Sequence, residues 1–153
     1  MENSIKVVAS GKKWIGSGIV STSTIIKELI NKSKTNLLIT SYVLSNFETI
    51  TLIESALERG ITIDLFIYKF MLNDNIYKKI ISLNEKFNGL NLYMSKEYEF
   101  LHSKVLISDK TEILIGSANL TKNGLTTNYE LGVLIKNPQI AYEIEKVIKK
   151  IGD

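Results

Sequence analysis

His102 and Lys104 stand two residues apart in the stretch "HSKVLIS". Its pattern reads as a strand over 102–108, and strand side chains alternate, so imidazole and ammonium project from one face. The pair suits attack on an anionic centre. The ammonium neutralises phosphate oxygens and disfavours a second positive charge beside it, which keeps a ring lone pair free. Asp109 comes seven residues after His102, on the opposite face of a regular strand. That geometry assigns it to turn and strand-end support rather than to a triad. Ser117 and Asn119 close the partner strand, where a hydroxyl, an amide and the loop amides of "SANLTKNG" can donate to phosphate oxygens. Glu130, in "NYELG", is placed to accept the other ring proton of His102 and so set its tautomer.

Composition narrows the chemistry further. The 153 residues carry 19 Lys+Arg against 16 Asp+Glu, a net charge of +3 that is compatible with a polyanionic partner. Arg59 is the lone arginine, so bidentate base reading is scarce while lysine contacts to phosphate are plentiful. With no cysteine and one histidine, disulfides, thiolate catalysis and multi-histidine metal sites within one chain are excluded. Lys12 and Lys13 interrupt the N-terminal apolar pattern, and no run approaches the ~18 apolar residues of a membrane span. The expectation is a cytoplasmic protein without stable membrane insertion.

The elements that must position these residues alternate along the chain. "STSTIIKELINKSK" predicts a capped helix, and "NLLITSYVL" a buried strand. Ser45 and Glu48 read as a capping box opening a helix through Ile50, Ile53, Ala56 and Leu57, stopped by Gly60. Then come a strand at "ITIDLFIY", a helix near 74–87 and a strand at 90–95. Strands at 102–108 and 112–116 are joined by the tight turn Asp109-Lys110-Thr111. "YELGVLI" is a further strand. Asn137 caps a last helix with Pro138 in its first turn and Ile140, Ile144, Val147, Ile148 and Ile151 as its apolar face. The fold class expected is α/β, a mixed central sheet flanked by helices on both faces, as a single domain over 1–153.

His102-x-Lys104-x4-Asp109, followed after six residues by Gly116-Ser117-x-Asn119, resembles the HKD motif of the phospholipase D superfamily. "NYELGV" is similar to the acidic segment that follows the motif there. The match covers 102–135, and the upstream order and length agree with one phospholipase D-like half-unit. The resemblance implies phosphodiester chemistry with no metal or other cofactor, through a phosphohistidine. It makes His102 nucleophile or acid, Lys104 and Asn119 phosphate ligands and Ser117 a further phosphate donor. Glu130 would orient His102, with Asp109 and Gly116 in structural support.

The family usually carries two HKD copies, and losing a positioned general acid costs ~10²–10⁴ in rate. One histidine therefore implies a homodimer about a two-fold axis, each chain contributing one His102.

Short single-motif members of the superfamily are mostly metal-independent nucleases, so the resemblance implies a nucleic-acid substrate, DNA or RNA. Sequence specificity would come from a partner, such as a helicase or specificity subunit, or be absent. The alternatives are a lipid phosphodiesterase or phosphatidyl transferase, which an exposed apolar collar near His102 would favour, and a weakly catalytic dimeric binding module. A carboxylate metal nuclease ranks last, because Glu97, Glu99 and Asp109 form no Asp…Glu-x-Lys arrangement after a hairpin. The pairs Lys12-Lys13, Lys78-Lys79 and Lys149-Lys150 read first as solvated faces, and second as backbone contacts. Trp14 reads as a packing residue before a base-stacking one, and "EYEF" (97–100) as a candidate rim above His102.

Overall fold

The computed structural model describes residues 2–153. The strands are β1 (Ser4–Ala9), β2 (Val20–Ser21), β3 (Asn36–Ser41), β4 (Thr62–Ile67), β5 (Leu90–Met94), β6 (Val105–Ser108), β7 (Glu112–Gly116) and β8 (Leu131–Lys136). The helices are α1 (Thr22–Lys32), α2 (Phe47–Glu58), α3 (Asp74–Lys86), α4 (Lys122–Leu125) and α5 (Pro138–Lys149). Among the described residues, eight strands form one sheet in the order β2-β1-β8-β7-β6-β3-β4-β5. β3, β4 and β5 run parallel, while β6 and β8 return antiparallel to their neighbours. The α/β class and the mixed sheet with helices on both faces are as expected.

Each sheet face is closed by a helical stripe at the expected spacing. Ile26 and Ile30 of α1, Ile50 and Ile53 of α2 and Ile76 and Ile80 of α3 pack with Leu37, Ile39, Ile63, Leu65, Leu106 and Leu114. On the other face, Ile140, Ala141, Ile144 and Ile148 of α5 pack on Leu38, Phe66, Ile107 and Ile113. Asn137 caps α5 as anticipated, accepting from the Gln139 and Ile140 N–H groups. Val147 departs from the predicted stripe and is exposed. α5 also leaves Ile5 and Val7 of β1 uncovered at the sheet's edge.

Three local readings need correction. The α2 cap is Asn46 rather than Ser45, since the Asn46 Oδ1 accepts from the Thr49 N–H at 2.9 Å. β1 was not anticipated; its pairing partner β8 lies far away in sequence. The strand expected over 102–108 begins only at Val105, because a side chain takes the place of the ladder before it.

The β6–β7 hairpin turns through Asp109-Lys110-Thr111, with Asp109 at φ 50° and Lys110 at φ 56° both left-handed. Here Asp109 meets the α1–β3 connection. Its carboxylate accepts from the N–H groups of Lys34 (2.9 Å), Thr35 (2.8 Å) and Asn36 (3.2 Å) and from the Thr35 hydroxyl (2.9 Å). Burial works to raise its pKa, but these donors outweigh it and hold the carboxyl below its ordinary value. Asp109→Ala should therefore cost about 1–3 kcal/mol at neutral pH in chemical denaturation. A lowered folded pKa means stability present above the unfolded value and lost as pH falls through the folded one. The gap between parent and variant should thus close below about pH 4. A gap that persists there would show that the carboxylate charge is not what holds the turn.

Candidate active site

β1, β3, β4, β5 and β7 end at one edge of the sheet, where β6 and β8 begin. In α/β sheets ligands bind outside the carboxyl ends of such strands. The Thr40 side chain organises this edge. It is buried, and its Oγ1 donates to the Ser103 carbonyl (3.0 Å) while accepting from the Ser103 hydroxyl (3.0 Å) and the Val105 N–H (2.9 Å). A hydroxyl has one donor and two acceptor sites, so all are used. This clasp draws residues 102–104 out of the β3–β6 ladder and presents them at the mouth of the sheet.

His102 is exposed, its ring centred 4.5 Å from that of Tyr42. The Lys104 Nζ donates to the His102 carbonyl at 2.8 Å and lies 3.1 Å from Nδ1. With an ammonium donating to Nδ1, a neutral ring carries its proton on Nε2. Desolvation lowers the Lys104 pKa, and the Glu130 carboxylate works in the opposite direction. The Asn119 Oδ1 accepts from the Val43 N–H at 3.2 Å, which fixes the amide and turns its two N–H donors to other partners.

Ser117 and Glu130 form a pair. The Ser117 hydroxyl donates to Glu130 Oε2 at 2.5 Å and accepts from the Leu131 N–H at 3.0 Å, while the Asn128 amide reaches Glu130 Oε1 at 3.3 Å. Both residues thus depart from their expected contacts within one chain. Ser117 spends its donor on the carboxylate, and Glu130 makes no hydrogen bond to His102. The register explains the pairing, because Gly116 faces Gly132 across β7 and β8 and brings the two strand ends together. A Cβ on Gly116 would sit 2.6 Å from the Leu131 carbonyl oxygen and 2.7 Å from Gly132 Cα. Gly116 is needed for this close approach. Asp109 lies past the other end of β6, away from His102.

Several positioning residues gave no sequence signal. Ser10 donates to the Asn128 carbonyl (2.8 Å) and the Gly124 carbonyl (3.1 Å), and its N–H meets the Glu130 carbonyl at 3.0 Å. The N–H groups of Ser45 and Asn46 hold the Leu120 carbonyl, next to Asn119. Thr40, Tyr42 and Ser10 sit far upstream of the motif, and a hydroxyl or ring in a strand reads as ordinary packing. Trp14 packs edge-on against Tyr129 at 5.0 Å. Lys79 pairs with Glu54, and Lys149 with Asp64 and Glu145. Among the described residues no three His, Asp or Glu side chains converge as a metal cage would require.

Comparison with known proteins places this geometry. The family model described as cardiolipin synthase, PLD-like domain, matches residues 26–151. The DISARM protein DrmC of Bacillus paralicheniformis is 29% identical over 145 residues, covering 91% of this chain and 60% of that protein. The chain thus spans less than two thirds of that relative. A cardiolipin synthase of Clostridium perfringens is 27% identical over 152 residues, with 88% of this chain and 31% of that one covered. Nuc, a phospholipase D family member from Salmonella typhimurium, has a similar fold, with a TM-score of 0.81 at 22% identity over 98% of this chain and 94% of that one.

Replacing Thr40 with Val keeps the side-chain shape and removes the clasp. Unfolding measurements should register a loss of about 1–3 kcal/mol, since the Val105 N–H and the Ser103 carbonyl lose a buried partner. Parental stability in Thr40→Val would show that segment 102–104 is held by something else.

Proposed function

The chain belongs to the phospholipase D-like phosphodiesterase superfamily, and from that premise we propose that it is a nuclease cleaving DNA or RNA without a metal, at a site completed by a second copy of itself. One observation carries the reading. His102, Lys104, Asn119 and the Ser117-held carboxylate of Glu130 gather at one sheet edge with a single imidazole among them. The fold likeness to Nuc, which runs over 98% of this chain and 94% of that one, supports the nuclease reading.

The chemistry follows from these groups. A ring nitrogen of His102 attacks phosphorus, the P–O bond to the leaving oxygen breaks, and a second imidazole protonates that oxygen. Water then cleaves the P–N bond, releasing a phosphate monoester and restoring the ring. For Nε2 to attack, the ring proton must sit on Nδ1, where Lys104 now donates. An incoming phosphate draws the ammonium from Nδ1 to its own oxygens, the ring exchanges its Nε2 proton with solvent for one on Nδ1, and a Glu130 carboxylate accepts the hydrogen bond from that Nδ1–H. Asn119 supplies its amide donors to the same phosphate. In this reading the second imidazole is supplied by His102 of a second copy of the chain.

A lipid reading has separate support. Phe70, Met71, Tyr98 and Phe100 are exposed, two of them on rings in the set that reaches His102, and the matched family model carries the name of a cardiolipin synthase. Among the described residues no helix is long and apolar enough to cross a membrane.

Plasmid and single-stranded DNA incubated in excess EDTA should be cleaved by the parent and left intact by His102→Ala. Failure of the parent on both, with turnover of phosphatidylglycerol vesicles, would move the assignment to phosphatidyl transfer. Subunit mixing tests the shared site. With parent and His102→Ala chains allowed to exchange, activity should follow the square of the parental fraction, and a linear fall would mean that each chain works alone.

A further inference from the structure

Aromatic rings extend away from His102 along the same sheet edge, and no step of the reaction uses them. Tyr42 packs on His102, and Tyr68 stacks on Tyr42 with centroids 5.3 Å apart and planes 13° from parallel. Tyr68 is buried, and its hydroxyl donates to the Glu97 carbonyl at 2.9 Å, which fixes the ring. Phe70 and Phe100 each lean on Tyr68 at 5.5 Å, yet they are 47% and 69% exposed. Two phenyl rings therefore stand in solvent on a rigid aromatic base. A groove beside them is lined by Lys69, Phe70, Met94, Ser95, Lys96 and Glu97. The Lys69 Nζ lies 5.4 Å from the Phe70 ring centre. The Ser95 Oγ is buried without a hydrogen-bond partner among the described residues.

We propose that Phe70 and Phe100 form a stacking platform for unpaired bases, so that the preferred substrate is a single-stranded nucleic acid whose scissile phosphate lies at His102. The inference rests on the nuclease reading and gives it a substrate class. Every base has a π face, so stacking on phenyl rings is sequence-tolerant, which fits a chain with one arginine. Bases in a duplex are already stacked and offer only their edges, so the platform selects strands by their pairing state. Acyl chains would be served equally by aliphatic side chains, yet of the four exposed apolar residues at this corner only Met71 is aliphatic. Lys69 and Lys96 flank the ring where a strand's phosphates would run, with Glu97 as the opposing carboxylate on that groove.

The test uses the full-length His102→Ala protein, which binds without cleaving. Fluorescence anisotropy is read with a labelled single-stranded oligonucleotide and with its duplex, alongside vesicle co-sedimentation on phosphatidylcholine–cardiolipin. Phe70→Ala and Phe100→Ala should each weaken single-strand binding about 5- to 150-fold, the equivalent of one lost base stack. Duplex binding should change less. Phe70→Leu and Phe100→Leu retain apolar bulk and should weaken single-strand binding almost as much.

Undiminished binding by the alanine variants would overturn the platform and leave the nuclease reading standing. Leucine variants that bind like the parent would overturn stacking in favour of plain apolar contact. Lost vesicle binding with intact oligonucleotide binding would assign the rings to lipid. Lost dimer mass in sedimentation would assign them to the contact between chains. If the parent neither cleaves nor binds any oligonucleotide, the nuclease reading falls and the platform falls with it.

Discussion

The Thr40 hydroxyl carries more of this molecule's functional geometry than any other single group. Its three hydrogen bonds replace the first rungs of the β3–β6 ladder, so the chain reaches the sheet already carrying His102 and Lys104 at its mouth. At the far end of the same hairpin, Asp109 binds three consecutive backbone N–H groups between α1 and β3. The β6–β7 hairpin is thus tied to β3 at both ends. Two fixed ends leave little freedom for the imidazole's backbone. That rigidity matters because positioned attack depends on ångström-scale alignment.

The site built on this hairpin holds its side chains in contacts with one another. Lys104 holds the Nδ1 nitrogen of the His102 ring. Glu130 faces Ser117 and Asn128 instead of the ring. The ammonium thus meets its own histidine and the carboxylate a hydroxyl.

The remaining loops serve the same edge. The Ser10 bonds and the cap of α4 by Thr121 fix the segment that ends at Glu130, and the contacts of Ser45 and Asn46 fix Leu120 beside Asn119. On the opposite flank, a buried tyrosine fixed by a backbone carbonyl supports rings that face solvent. Exposing phenyl surface is unfavourable for an isolated chain. Its retention at the mouth of a phosphodiesterase site is the feature most in need of a ligand.

The α/β class, the helical stripes, the Gly60 stop and the α5 cap were all legible in the sequence, because periodicity and capping act over a few residues. The motif was legible for the same reason, since His102, Lys104, Asp109, Gly116, Ser117 and Asn119 lie within one hairpin and its exit. Spacing also separated Asp109 from His102, because strand alternation is a local rule. Only the tertiary structure decided how these groups are held. The Thr40 clasp, the Tyr42 ring on His102, the Ser117–Glu130 pair and the Gly116–Gly132 approach each join residues from different strands. No local rule reports such partners, because sheet register is set by the packing of both faces at once. The sequence by itself determined the family and the local elements; the sheet's register decided which side chains meet at its edge.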